Sequence, residues 1–269
     1  MNLKSILTLF FLTTLISNTV SQVEDSNKGE LYFYWGWNRG WYSNSNINFS
    51  GENYDFVLKN VIAKDRQTKF SFNNYLNPSI ITIPQYNFRL GYYFQKNWDI
   101  SFGVDHMKYV VKQNQTVSID GYIENTPTVY NNQYSDEKIE LTKDFLKFEH
   151  TDGLNYINIE FRHSDKITNS KNIRIALKEG LGIGMMIPKT NTTLLGRESY
   201  DEFHLSGIGI GGIIGLNFTL FNKFFIQPEF KAGFINLSHV RTSPVKIDKA
   251  HHHFFFTQLN CVFGGTFTF

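Results

Sequence analysis

From Phe255 onward the chain alternates strictly. Phe255, Thr257, Leu259, Cys261, Phe263, Gly265, Phe267 and Phe269 fall on one side. Phe256, Gln258, Asn260, Val262, Gly264, Thr266 and Thr268 fall on the other. The first side is mainly apolar and the second mainly polar or small, the period of two that a β-strand requires. Seven earlier segments repeat this pattern. Their apolar rows are Leu31-Phe33-Trp35-Trp37, Tyr86-Phe88-Leu90-Tyr92-Phe94, Trp98-Ile100-Phe102-Val104 and Ile157-Ile159-Phe161, followed by Ile173-Ile175-Leu177, Ile208-Ile210-Gly212-Ile214-Leu216-Phe218-Leu220 and Phe224-Ile226-Pro228-Phe230-Ala232-Phe234. About eight strands result, an even number, or ten if the first long link pairs into the wall.

The links alternate in length. Gln95 to Asn97, Ser164 to Ser170 and Phe221 to Lys223 are short. The stretches from Tyr42 to Pro84, Lys112 to Asp152, Pro188 to Phe203 and Arg241 to His252 are long. Short turns at one end and long loops at the other fit an antiparallel up-and-down barrel that spans a bacterial outer membrane. The first long link carries two segments, Asn46 to Ser50 and Phe56 to Ile62, able to extend strands above the membrane. The second carries Lys138 to Leu141 and Phe145 to Phe148, read as a short amphipathic helix or a hairpin.

The N-terminus reads as an export signal. Lys4 precedes the apolar run Ile6 to Leu12, and Thr19 and Ser21 have the spacing of a signal-peptidase site. Cleavage after Ser21 leaves 22–269 as one barrel domain. The apolar run is too short for a comfortable membrane-spanning helix. Aromatic residues make up 16% of the chain, which suits pleated and half-apolar surfaces. The mean hydropathy of −0.28 looks soluble, but a barrel averages its lipid-facing and lumen-facing residues in this way. A soluble β-sandwich or lipocalin-like barrel would also alternate, with its polar face outward. The lone Cys261 excludes an internal disulfide and a Cys-cluster metal site. A net charge of +2, without a basic run, points away from nucleic acid.

These features resemble the small outer-membrane β-barrel proteins, the group of OmpA-like and OmpX-like eight-stranded barrels. The signal at Met1 to Ser21, the alternating strands and the ending Gly264-Gly265-Thr266-Phe267-Thr268-Phe269 carry the resemblance. The Asn-, Tyr- and Lys-rich composition resembles that of Bacteroidota. The resemblance implies an outer-membrane location, contact with membrane lipid and lipopolysaccharide, and insertion by the assembly machinery that reads Phe267 and Phe269. It leaves function open, because the fold hosts adhesins, channels, enzymes and structural barrels.

Candidate chemistry lies in four places. Arg89, Asp99, Asp105, Glu160, Arg162, Arg174, Lys178, Glu229 and Lys231 are expected to point into the lumen. An eight-stranded barrel is wide enough only for side chains, so paired charges would form a polar plug, and otherwise a narrow ion path. Glu179 breaks the apolar row between Leu177 and Leu181; a β-bulge at Lys178-Glu179-Gly180 would turn it inward, and on the lipid face it would suggest function. His204 and Ser206 share a face and weakly resemble the His-x-Ser pair of outer-membrane lipid A deacylases, but Gly207 stands where those enzymes have Asn and no acid partner is evident. His251, His252 and His253, with His239 nearby, read as a solvated rim, since adjacent strand residues point opposite ways. Trp35, Trp37, Trp41, Trp98, Tyr86 and Tyr92 fit interfacial girdles. No cofactor and no metal is expected. The expected role is structural or partner-binding through the long loops, with a lipid A-modifying acyl hydrolase or a narrow pore as alternatives, and an envelope or surface protein as a further partner.

Overall fold

The computed structural model describes residues 27–170, 172–197 and 200–268. The signal segment and Phe269 lie outside the described residues. Eight strands close a ring in the order β1 (Leu31–Tyr42), β5 (Tyr86–Gln95), β6 (Trp98–Val111), β9 (Leu146–Asn169), β10 (Ile173–Leu194), β12 (Gly207–Leu220), β13 (Phe224–Arg241) and β14 (Lys249–Phe267). All pairs are antiparallel, and β14 returns to β1 in unbroken register from Leu31↔Phe267 to Tyr42↔Phe256. The ring therefore has no free edge, so the ladder groups of each strand face a neighbour on both sides.

The long links are largely strand. β2 (Ser45–Gly51) carries the line of β1 upward and pairs with the top of β14, from His252↔Ile47 to Lys249↔Ser50. β3 (Tyr54–Val61), β7 (Thr116–Ile123) and β8 (Asn132–Glu140) follow in that sheet. Short β4 (Ala63–Lys64) pairs with β6, and β11 (Tyr200–Phe203) with β10. One five-residue helix, α1 (Phe72–Leu76), lies in the first link, with Ser71 accepting from the Asn74 amide as its N-cap. The helix considered for Lys138 to Phe148 is absent: Lys138 to Glu140 close β8, Leu146 opens β9, and Leu141 and Phe145 are buried between them. Strand β9 also runs on to Asn169, so the link expected from Ser164 begins only after that residue.

Two levels of opposite polarity divide the molecule. In the lower belt the outward row is apolar and exposed: Leu90, Ile100, Phe102, Ile159, Leu181, Ile183, Ile210, Phe230, Leu259 and Phe263. The inward row there is buried and mainly polar, with one small cluster of Tyr32, Tyr34, Tyr93, Phe225 and Val262 among the polar groups. Above it the arrangement reverses. Ile47, Phe49, Phe56, Leu58, Met107, Ile119, Phe145, Phe148, Leu154, Leu237 and Phe254 fill the inside of a head as one apolar core. Outward positions of the head, such as Asn46, Asn48, Asp55, Lys59 and Asp120, are polar. Strand alternation does not pause at the boundary; the apolar residues change sides. Doubled apolar positions mark the change: Phe254-Phe255 on β14, Phe234-Ile235 on β13 and Met185-Met186 on β10 each place one side chain inside and its neighbour outside. A fully buried side chain of this size contributes about 1.5–3 kcal/mol, so the head is a packed body and not a set of loose loops.

Candidate functional site

Eight charged side chains meet inside the belt. Arg89, Arg162, Lys178 and Lys231 face Asp99, Asp105, Glu160 and Glu229, and all are at most 4% exposed. Glu160 is the hub. It accepts from Arg89 Nη2 at 2.9 Å, Arg162 Nε at 2.7 Å and Lys231 Nζ at 2.6 Å. Arg162 donates its other arm to Glu229 at 2.7 Å, and Lys231 also bonds Asp105. Lys178 pairs with Asp99 at 3.0 Å and with the Tyr93 hydroxyl. Four positive and four negative groups leave this set neutral, and each charge has an opposite partner. Buried charge is tolerable only under that condition.

Neutral groups complete the packing. The Tyr34 hydroxyl accepts from Arg89 at 3.0 Å and Arg162 at 2.8 Å, and Tyr32 donates to Asp99 at 2.6 Å. Asn158 and Ser101 accept from Arg89, and Gln227 and Asn260 donate to Glu229. The sequence reading did not single these out, although their inward parity on the strands was the available signal. Glycines make the room: a Cβ on Gly103 would stand 2.8 Å from the Arg89 guanidinium, and one on Gly91 would stand 2.1 Å from the Tyr32 ring. Eight of the nine expected lumen charges sit in this network. Arg174 does not: it is half-buried and lines a cavity of about 20 Å³ beside Lys178 and Gln227, near the short turns. That space holds about one water. At the other end the network meets Asn87 and Asn38, and above them the apolar head core closes the barrel.

Glu179 does not turn inward. The register Lys178↔Ser164, Glu179↔His163, Gly180↔Arg162 is continuous, so no bulge forms there, and Lys178 faces the lumen alone. Glu179 instead lies on the outer face with His163 at 3.9 Å, and His163 lies 3.5 Å from Asp165. His163 is in register with Trp98, the first residue of β6 after a short turn, and the two rings stand 4.5 Å apart. An aromatic ring beside these polar groups is the composition of a barrel rim, where a carboxylate costs far less than at mid-height.

His204 and Ser206 are near each other but not bonded as a catalytic pair. The Ser206 hydroxyl donates to the His204 backbone carbonyl at 3.2 Å. The His204 ring engages the Tyr200 hydroxyl at 2.6 Å through Nε2 and the Phe203 carbonyl through Nδ1. Both ring nitrogens are thus occupied away from Oγ, whereas a general base must reach the proton that it removes.

The His251–His253 run splits as strand geometry demands, with His251 and His253 exposed. His252, however, is 1% exposed inside the head, which corrects its reading as a solvated rim residue. It stands 6.3 Å from the ring of His150, within a cage of Tyr109, Phe148 and Phe254. His150 bonds Thr190 through Nδ1 at 3.0 Å, while its Nε2 and both nitrogens of His252 have no partner. Burial depresses both: His150 falls to about 3, and His252 lies well below the usual imidazole value, lowered further by the neighbouring histidines.

No family model and no curated protein matches the sequence. Among solved structures, the outer membrane protein OprG from Pseudomonas aeruginosa aligns with a TM-score of 0.42 at 9% identity, over 92% of this chain and all of that one. Ail, the attachment invasion locus protein of Yersinia pestis, aligns at 0.34 and 11% identity over 89% of this chain and 99% of its own. Neisserial surface protein A aligns at 0.30 and 11% identity over 86% and 97%. The chain is similar to these proteins over nearly its whole length, at low identity throughout.

Proposed function

We propose that this chain is an outer-membrane β-barrel whose belt is a sealed anchor and whose working part is the packed head outside the membrane. The observation that carries this reading is the change of polarity between belt and head. An apolar exterior is stable against lipid, and an apolar interior with a polar exterior is stable against water. One chain that has both, stacked, is matched to a membrane boundary at the junction. The head then presents a structural or partner-binding surface, bordered by edge strand β8. Asp136, Glu137 and Lys138 on that strand discourage indiscriminate strand pairing.

The paired interior argues against the pore. An ion would have to displace charge-assisted hydrogen bonds around Glu160 and then pass an apolar head core. Purified protein in a planar bilayer is therefore expected to give no regular conductance steps, at neutral pH and in molar salt. Discrete, reproducible steps would overturn the sealed belt. The hydrolase has no support in the geometry of His204 and Ser206.

A further inference from the structure

The link from Asp65 to Gln85 does not stand out into solvent. Asp65 accepts from the Gly40 amide at 3.0 Å and pairs with Gln85, while Lys108 donates to the Ile83 carbonyl at 2.8 Å, so both ends are tied to the wall. Between them the segment folds against the outside of β1: the Tyr75 ring packs on Trp37 at 5.6 Å and on Phe70 at 5.3 Å. Trp37 belongs to the outward belt row and in turn contacts Trp35 and Phe263. The segment nonetheless leaves its largest apolar groups bare. Phe70 and Phe72 are each 75% exposed, Leu76 57% and Ile83 50%. Four such groups on a 21-residue link that already covers its own wall would be unfavourable in water. Just ahead of them stand the exposed cations Lys64, Arg66 and Lys69. Arg66 is held toward the head by Glu149 at 2.8 Å.

We propose that residues 65–85 form an interfacial anchor that lies in an anionic lipid surface beside the barrel, a proposal that rests on the membrane reading above. Phe70, Phe72, Leu76 and Ile83 enter the lipid at the boundary, and Lys64, Arg66 and Lys69 stay at the level of acidic headgroups. Two facts select lipid as the occupant: the patch is continuous, through Tyr75 and Trp37, with the lipid-facing belt, and its charged margin is basic. This is the composition of a segment that lies in a membrane interface, where aromatic and aliphatic groups are buried shallowly and cations meet acidic headgroups.

Trypsin tests it, because its cut after Lys69 falls at the anchor's edge. The full chain is inserted, head outward, in vesicles of phosphatidylcholine with a third phosphatidylglycerol, and folding is verified on each sample by the gel-mobility shift on boiling. Cleavage after Lys69 is expected to be at least tenfold slower in the native chain than in a Phe70→Ser/Phe72→Ser/Leu76→Ser variant. It should become severalfold faster when the phosphatidylglycerol is omitted. A Phe70→Leu/Phe72→Leu variant, which keeps the apolar area, should stay protected. Equal rates for the native and serine chains, or loss of protection in the leucine variant, would overturn the proposal. Loss of the mobility shift in the native chain would instead count against the barrel reading itself.

Discussion

Lowering the pH from 7.5 to 4.5 is expected to open the head while the belt stays folded. The sign follows from His150 and His252. Both are bases whose folded-state affinity for protons is depressed by burial, so the unfolded head binds more protons wherever the pH is below the ordinary imidazole range. The stability that their neutral forms permit is fully present above about pH 6.5 and is lost as the pH falls toward the folded value of about 3 for His150. At pH 4.5 that amounts to about 3 kcal/mol for His150, at 1.36 kcal/mol per pH unit, and His252 adds in the same direction. The groups packed around the pair offer no compensating anion: Tyr109, Phe148 and Phe254 are the rings in contact, Thr190 is the hydrogen-bond partner, and His251 and His253 flank on the same strand. Protease cleavage within β2, β3 and β7 should rise between pH 6 and 4.5, with the boiling-dependent mobility shift of the barrel retained. A His252→Phe variant removes two unpartnered ring nitrogens from an apolar cage, so it should be more stable at pH 7.5 and less sensitive to acid. A head that resists protease equally at both pH values, or a variant that behaves as the native chain, would refute the role of the pair.

Replacing Glu160 by Leu should be the most damaging single change in the belt. It strips one partner each from Arg89, Arg162 and Lys231 and leaves a net positive, closed interior. Removing one member of a buried ionic set costs about 3–5 kcal/mol, because the remaining charges are then uncompensated. Urea unfolding in detergent should show a lower midpoint and an unfolding free energy reduced by that amount, and part of the protein should fail to show the heat-dependent mobility shift. Lys59→Ala is the control. Lys59 pairs with Asp120 and Asp136 on the exposed head surface, where water and salt screen the pairs and its loss should leave stability nearly unchanged. Equal effects for the two substitutions would mean that water enters the belt, and with it the pore reading would return.

Much of the belt was legible in the sequence. The eight apolar rows and the inward charges follow from a period of two, and that period fixes side-chain direction without any tertiary information. Arg174 escaped because parity gives direction and not height; it points inward beyond the last carboxylate. Glu179 could be placed by parity only as a bulge or an outward carboxylate; the register decides for the outward face, beside His163, which pairs with Trp98 at a rim. The head was harder. Its strands appeared as long links because the apolar positions there change phase, and a reader following the outward row loses the pattern at Phe255 or Met185. The doubled positions Phe254-Phe255, Phe234-Ile235 and Met185-Met186 are the trace of that change. His150 gave no local signal at all: its burial depends on β9 meeting β14 across the head, a contact between segments about a hundred residues apart.

Cys261 reports directly on whether the belt faces lipid. It is the single cysteine, it points outward, and it sits between Leu259 and Phe263 in the apolar belt. A membrane-impermeant maleimide applied to the inserted protein should leave Cys261 unmodified, while an Asp120→Cys substitution on the outer face of the head, made with Cys261→Ser, should be labelled within minutes. Both should react once the protein is unfolded in denaturant. Rapid labelling of Cys261 in the folded, inserted protein would place the belt in water and contradict the account of a lipid-facing barrel beneath a water-facing head.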